Sequence, residues 1–179
     1  MNHIGNTYAQ GLYTLACEEG LTHRLLQELS ALHASFVQEP EFLRLLDAPN
    51  IPKEERCGII DSSFRDKVHP YVLNFLKLLA EHSYAKHFPD CCRAYRREYN
   101  RDNNILPVEA VTATALTAQQ AQRLTQRLEQ LTGKTVELSN RVDPAVIGGV
   151  RLHYAGIQVE STVASRLEAL SQQLKSTVL

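Results

Sequence analysis

His82, His87, Cys91 and Cys92 stand close together in the chain, and thiolate and imidazole are both good zinc ligands. A structural zinc site needs four converging groups, usually in recognisable pairs. Here His87 and Cys91 are four apart with no second pair, so packed thiols and surface histidines are expected instead. Thr132-Gly133-Lys134-Thr135 has the ending of a phosphate-binding loop, but Leu128 occupies the position where that loop needs its first glycine. The order around it is helix then strand, the reverse of what the loop requires, so Gly133 is expected to terminate a helix. Arg93, Tyr95, Arg96, Arg97, Tyr99 and Arg101 interleave bases with aromatics, a pattern that could serve RNA. Asp90, Glu98 and Asp102 share that segment, which favours a solvated helix face. Glu54-Glu55, directly after Pro52, suit the first turn of a helix better than an acid–base pair. No nucleophile, base and oxyanion arrangement stands out, and the chemistry points to a binding protein rather than an enzyme.

Composition agrees with that direction. The 179 residues are 44% hydrophobic, enough for one ordinary domain or two small ones. A net charge of -1 gives no broad field for nucleic acid or anionic membrane. Dividing at Asn104 leaves 12 basic and 14 acidic residues before it and 7 and 6 after it, so neither part is a basic module. There is no apolar run long enough to span a membrane and no basic or arginine-rich leader pattern, so a cytoplasmic address is expected. Cys17, Cys57, Cys91 and Cys92 are expected to be reduced, because adjacent Cys91 and Cys92 could pair only with strain.

The elements that would position any site follow from periodicity and punctuation. Pro40, Pro52, Pro70 and Pro89 each precede a segment of helical spacing, where a missing amide costs nothing. With segments starting near Asn6 and Thr22 they predict six helices, over about 6–19, 22–38, 40–47, 52–67, 70–83 and 89–103. The second carries an ordinary stripe of Leu25, Leu26, Leu29, Leu32, His33 and Phe36. The fifth, with Val72, Leu73, Phe75, Leu76, Leu78 and Leu79, is apolar nearly all round. Such a helix is central in its bundle or offers a second face to a partner. The first is similar: Ala9, Leu12, Tyr13 and Ala16 make one stripe, and Tyr8, Gly11 and Leu15 make another. Two readings of Gly11 stand, close packing inside the bundle or a shallow groove for another helix, since glycine costs a helix about 1 kcal/mol relative to alanine.

After Asn103-Asn104 the period changes from 3.6 to 2. An edge-like strand is expected over Pro107 to Thr114, because proline cannot donate to a ladder. Thr117 and Gln120 form a capping box, with Leu116 stapled against Ala121, for a helix that carries Ala121, Leu124, Leu128 and Leu131 and stops at Gly133. A strand over Lys134 to Ser139 follows. Asp143-Pro144 then opens a turn into a strand over Val146 to Tyr154, with Val150, Leu152 and Tyr154 on one face. Gly148-Gly149 would bend that strand or admit a close neighbour. Gly156 returns the chain into a short strand at Ile157 and Val159, and Ser161 or Thr162 caps a last helix bearing Val163, Leu167, Leu170 and Leu174. The fold class expected is α+β in two domains, a six-helix bundle over 1–104 and a small sheet with two helices over 105–179.

Three stretches resemble the delta subunit of bacterial F-type ATP synthases, the equivalent of the mitochondrial oligomycin-sensitivity-conferring protein. They are Tyr8 to Ala16, Asn74 to Glu81, and Asp143 to Leu167 with its Asp-Pro, Ile-Gly-Gly-Val, Gly-x-x-Val and Ser-Arg-Leu-Glu-x-Leu in family order. This chain departs from the family pattern at Ala164, where the family has an arginine, and at His82 to Lys86. The resemblance implies a stator subunit that links the alpha/beta catalytic head to the b-subunit stalk, so that rotation is coupled to ATP synthesis. It implies no catalytic residue, no cofactor and no metal. Further implications are one copy per complex, a peripheral position at the cytoplasmic face of the bacterial inner membrane without insertion, and no nucleic-acid partner.

The first domain would seat on the head by binding the N-terminal helix of an alpha subunit between helices one and five. Tyr8, Gly11, Leu15, Phe75, Leu78 and Leu79 are the residues expected there. The second domain would bind the b subunits through a region from Gly148 to Leu174, including Gly149, Arg151 and Arg166. An RNA-binding helical bundle of antitermination type, using the Arg93 to Arg101 face, is the alternative class, and a metal-dependent regulator is a third.

Overall fold

The structure is a computed structural model and describes residues 3–48, 50–146, 149–154 and 156–162. The expected last helix, with Val163, Leu167, Leu170 and Leu174, lies outside the described residues, as do Gly148 and Arg166. Among the described residues there are seven α-helices, a short 3-10 turn and a four-stranded sheet, an α+β protein. The chain divides into two compact units, Met1–Tyr99 and Asn100–Leu179.

The first unit begins with α1 (His3–Glu18), α2 (Thr22–Gln38), α3 (Pro40–Leu46), α4 (Lys53–Phe64) and α5 (Pro70–Glu81). A 3-10 turn over Ala85–His87 leads into α6 (Phe88–Asp102), whose last residues belong to the second unit. Pro40 and Pro70 occupy first-turn positions, and Pro52 sits at the N-cap of α4. Each fixes φ where no amide partner is lost. Leu25, Leu29, Leu32 and Phe36 of α2 are buried with Ala9, Leu12, Tyr13 and Ala16 of α1. Phe36 is packed against three other phenylalanine rings, Phe42, Phe64 and Phe88, at centroid distances of 5.3, 5.9 and 5.1 Å. Such contacts add to the area that the rings bury.

Arg56 of α4 is the charged member of this interior. It is 6% exposed and donates to Ile51 O, Ala80 O and Ser83 Oγ, each at 2.9 Å. A guanidinium can answer three acceptors at once, which is how a buried cation is tolerated here. Asp47, the residue that caps the C-terminus of α3, performs a related task, accepting from Ala85 N at 2.9 Å and Lys86 N at 2.8 Å at the start of the 3-10 turn.

The second unit contains β1 (Ile105–Thr112), α7 (Ala118–Thr132), β2 (Thr135–Val142), β3 (Gly149–Tyr154) and β4 (Ile157–Thr162) in the sheet order β2-β1-β3-β4. β1 and β2 are parallel and joined by α7, as a crossover requires, and the other pairs are antiparallel. The capping box of Thr117 and Gln120 is formed, and Gly133 ends α7 at φ +66°. Asn140 of β2 ties down the loop before that helix: its amide donates to Ala110 O at 2.8 Å, and its oxygen accepts from Leu116 N at 2.8 Å.

Three sequence expectations need correction. β1 is an interior strand, not an edge strand. Pro107 is accommodated because β3 pairs only with Val108 to Thr112, so the proline lies on the part of β1 that β3 does not reach. β3 starts at Gly149 rather than Val146; Val146 is buried in the preceding turn, where its N–H donates to Asp143 O at 3.0 Å. Leu131 is 75% exposed instead of sharing the inner face of α7, whose Leu124 and Leu128 are half-buried.

Candidate docking groove between the first and fifth helices

α1 is amphipathic twice over. Its buried stripe of Ala9, Leu12, Tyr13 and Ala16 faces the interior, and Thr7, Tyr8, Gly11, Leu12 and Leu15 line a groove of about 550 Å³. Tyr71, Asn74, Phe75 and Leu78 of α5 form the opposite wall. The spacing on both helices is three and four, the pattern of one face of each. Leu78 is seven positions on from Tyr71, roughly 10 Å at 1.5 Å per residue, which suits about two turns of an occupying helix.

Gly11 resolves the choice between its two readings. It is exposed, and an added Cβ would meet nothing within 4 Å, so no neighbouring helix is pressed against it. The close approach made by α1 is at Gly5, where an added Cβ would lie 2.8 Å from Asp90 Cβ and 3.4 Å from Cys91 N of α6. Gly11 is thus a missing side chain in the wall of the groove, and Gly5 is the packing glycine that periodicity did not single out.

Of the six residues expected at this contact, the structure brings five together: Tyr8, Gly11, Leu15, Phe75 and Leu78. Phe75, 5% exposed, lies at the floor, whereas Leu78 is 40% exposed and has apolar surface left to cover. Leu79 does not belong to the set. It is 1% exposed and packs in the core, because one step along a helix turns a side chain by about 100° away from its neighbour. The residues not foreseen are Thr7, Leu12, Tyr71 and Asn74. Each is three or four positions from a foreseen residue, so helical spacing could have found Thr7, Tyr71 and Asn74 had polar side chains been admitted, and Leu12 had it been allowed to serve core and groove together.

The end of the groove at Tyr8 and Leu78 is backed by rings. Tyr8 lies 6.3 Å from His82 and 6.0 Å from Tyr84, and His82 Nδ1 is 2.9 Å from Leu78 O. The aromatic face of the site therefore rests on the C-terminal end of α5.

In the second unit Arg151 is half-buried on β3, opposite Val111 of β1 and Glu160 of β4. Gly149 opens that strand at φ +86°, a conformation that favours glycine, and pairs with Thr162. The same face of the sheet carries a cross-strand row of Ser139, Glu109, His153 and Gln158. These four, with Pro107, line a concavity of about 410 Å³ that Arg151 does not border.

The other chemical candidates resolve into packing. Tyr95 is fully buried, its hydroxyl donating to Thr22 O at 3.1 Å, so it offers no face to a base. Arg96 donates to Ser30 Oγ and Arg97 to Asn6 Oδ1, each at 3.0 Å, and Arg93 pairs with Asp90. Cys91 is 1% exposed, and burial pushes its thiol up to about 12. Burial also raises the Cys92 thiol. Among the described residues no three His, Cys, Asp or Glu side chains converge where a metal ion could sit. No described helix is long and apolar enough to cross a membrane.

Comparison with known proteins gives a consistent result. Residues 4–174 match the family model described as ATP synthase delta (OSCP) subunit. The ATP synthase subunit delta of Alkaliphilus oremlandii is 31% identical over 176 residues, covering 98% of both chains. That of Moorella thermoacetica is 30% identical over 173 residues, covering 97% of both, and that of Synechococcus elongatus is 26% identical with 97% coverage of both. Among solved structures, a chain of the Toxoplasma gondii mitochondrial ATP synthase hexamer superposes with a TM-score of 0.76 at 19% identity, covering 97% of this chain and 98% of that one, which shows a shared fold. With the family model and relatives spanning nearly its whole length, this chain belongs to the ATP synthase delta (OSCP) subunit family.

Proposed function

We propose that this protein is a non-catalytic stator subunit of a bacterial F-type ATP synthase, present in one copy, that joins the alpha/beta head to the b-subunit stalk. The single observation that supports this most is the unfilled apolar groove between α1 and α5, with Gly11 open in one wall and Leu78 exposed in the other. In this reading residues 1–104 form a six-helix bundle that takes the N-terminal helix of an alpha subunit into the groove, as an amphipathic helix enters an apolar cleft. Tyr8, Gly11, Leu15, Phe75 and Leu78 provide that contact.

Residues 105–179 form a small domain of one sheet and two helices that engages the b subunits through Gly148, Gly149, Arg151 and Arg166. The exposed Val159 and half-buried Leu152 of the sheet's apolar side support a second covering helix after β4. The task is mechanical. A turning central shaft drives synthesis only if the head is held still, and two linked contacts hold it better than one because each rebinding is intramolecular. The protein then resides at the cytoplasmic face of the membrane through its complex.

Gly11→Asp tests the proposal. The aspartate meets no neighbour in the free protein, so helicity by circular dichroism should be unchanged. Calorimetry with a peptide of the alpha N-terminus should show binding weakened by at least about tenfold, since a carboxylate would be buried against Phe75 and Leu78. Unchanged affinity would remove the groove from the head contact.

A further inference from the structure

Resting on the groove as the docking site, we propose that Asn74 selects which helix docks and in what register, by requiring a hydrogen-bonding side chain at one point of an otherwise apolar stripe. Asn74 lines the groove on α5, one turn from Tyr71 and one turn from Leu78. An occupant that covers the exposed part of Leu78 and also reaches Tyr71 must pass over Asn74. The residue is exposed and its side chain makes no hydrogen bond to any described residue, so in the free protein water serves its side-chain amide. Covering an amide removes that water, and the group must then find a partner on the occupant or remain unsatisfied. On the Leu78 side no partner is at hand, since Phe75 is apolar and Leu78 O already meets His82 Nδ1 at 2.9 Å, and in the free protein no hydroxyl of the lining bonds the Asn74 side chain.

The discrimination therefore acts against continuous apolar stripes. A helix with leucine or isoleucine at every inward position would bury more area but strand the amide. A helix with one serine, threonine, asparagine or glutamine facing Asn74 would satisfy it, and sliding by one turn would break the match. Specificity of this kind exceeds what shape alone provides, because an unpaired buried polar group is penalised more than a lost methylene.

The test uses the full chain and a synthetic peptide of roughly 25 residues from the N-terminus of the alpha subunit of the same ATP synthase. Each polar residue of the peptide is replaced in turn by leucine, and affinities are measured by calorimetry for the wild-type protein, Asn74→Leu and Gly11→Asp. Leucine has the higher helix propensity at this exposed position, so Asn74→Leu should fold, and circular dichroism checks it. In the wild type, one peptide position should cost about tenfold when changed to leucine. Asn74→Leu should bind the native peptide about tenfold more weakly and be indifferent, within about twofold, to leucine at that same position. Native-peptide binding by Asn74→Leu that is as tight as wild type, or tighter, overturns the proposal. So does a cost at the sensitive position that is unchanged in Asn74→Leu. If Gly11→Asp weakens binding while Asn74→Leu does not, the groove stands and only the role of Asn74 falls. If neither variant weakens binding, the groove itself falls, and the inference with it.

Discussion

Cys91 and Cys92 are neighbours in α6, yet both thiols are held neutral by the same cause, removal from water. Cys91 has an ordinary value of 9.0 and is pushed to about 12 in the fold, with the Asp90 carboxylate adding to the effect of burial. Below pH 9 both folded and unfolded chains keep the proton, and the full stability is present. Between pH 9 and 12 the unfolded thiol loses its proton while the folded one retains it, so stability falls as pH rises. Urea denaturation between pH 8 and 10.5 should show this decline steepening above pH 9, by up to about 1.4 kcal/mol per pH unit for each such thiol. Cys91→Ala should begin less stable because of its cavity but decline with a shallower slope. Parallel slopes for the two proteins would exclude Cys91 as a source of alkaline lability.

At the scale of elements, Arg56 is the fastener between α4 and the end of α5, where the last carbonyls of a helix favour a cation. Arg56→Lys keeps the charge but replaces a planar fork with a single ammonium that cannot meet Ile51 O, Ala80 O and Ser83 Oγ together. A loss of about 2 kcal/mol is expected, read as a lower urea midpoint with an unchanged slope. Such elements were legible in the sequence where their signals are local. Pro40 and Pro70 mark helix starts, Thr117 and Gln120 mark a cap, and Gly133 marks a stop, because each acts on backbone groups within one turn. What depended on distant neighbours was not legible. Pro107 argued for an edge, but only the pairing of β3 shows where β1 is covered. Leu78 and Leu79 are adjacent in an all-apolar helix, and only the placement of α1 assigns one to the groove and the other to the core. Nothing in the periodicity of α4 marks Arg56 as buried, and a search for apolar residues passes over Asn74.

At the scale of the molecule, the large apolar cluster lies between Ala9 and Tyr95, inside the first unit. Among the described residues of the second unit, Val108, Ala110, Val111, Val136 and Val146 are the buried apolar ones, and none is on α7. A fragment of residues 1–104 should therefore fold alone, with a helical spectrum and one cooperative thermal transition. It should bind the alpha N-terminal peptide within about twofold of the full chain, since both walls of the groove are present. A fragment without helical signal, or with affinity lost, would show that the groove needs the second unit.

Gly5 carries a consequence beyond packing. Where α1 meets α6, Gly5 lies against the first carbon of the Asp90 side chain and the α6 backbone behind it, neither of which can swing aside. An alanine at this position would have to move α1 away from α6, because the Asp90 Cβ and the α6 backbone cannot turn out of its way. Such an alanine would act as a shim under α1, shifting one wall of the groove without touching its lining.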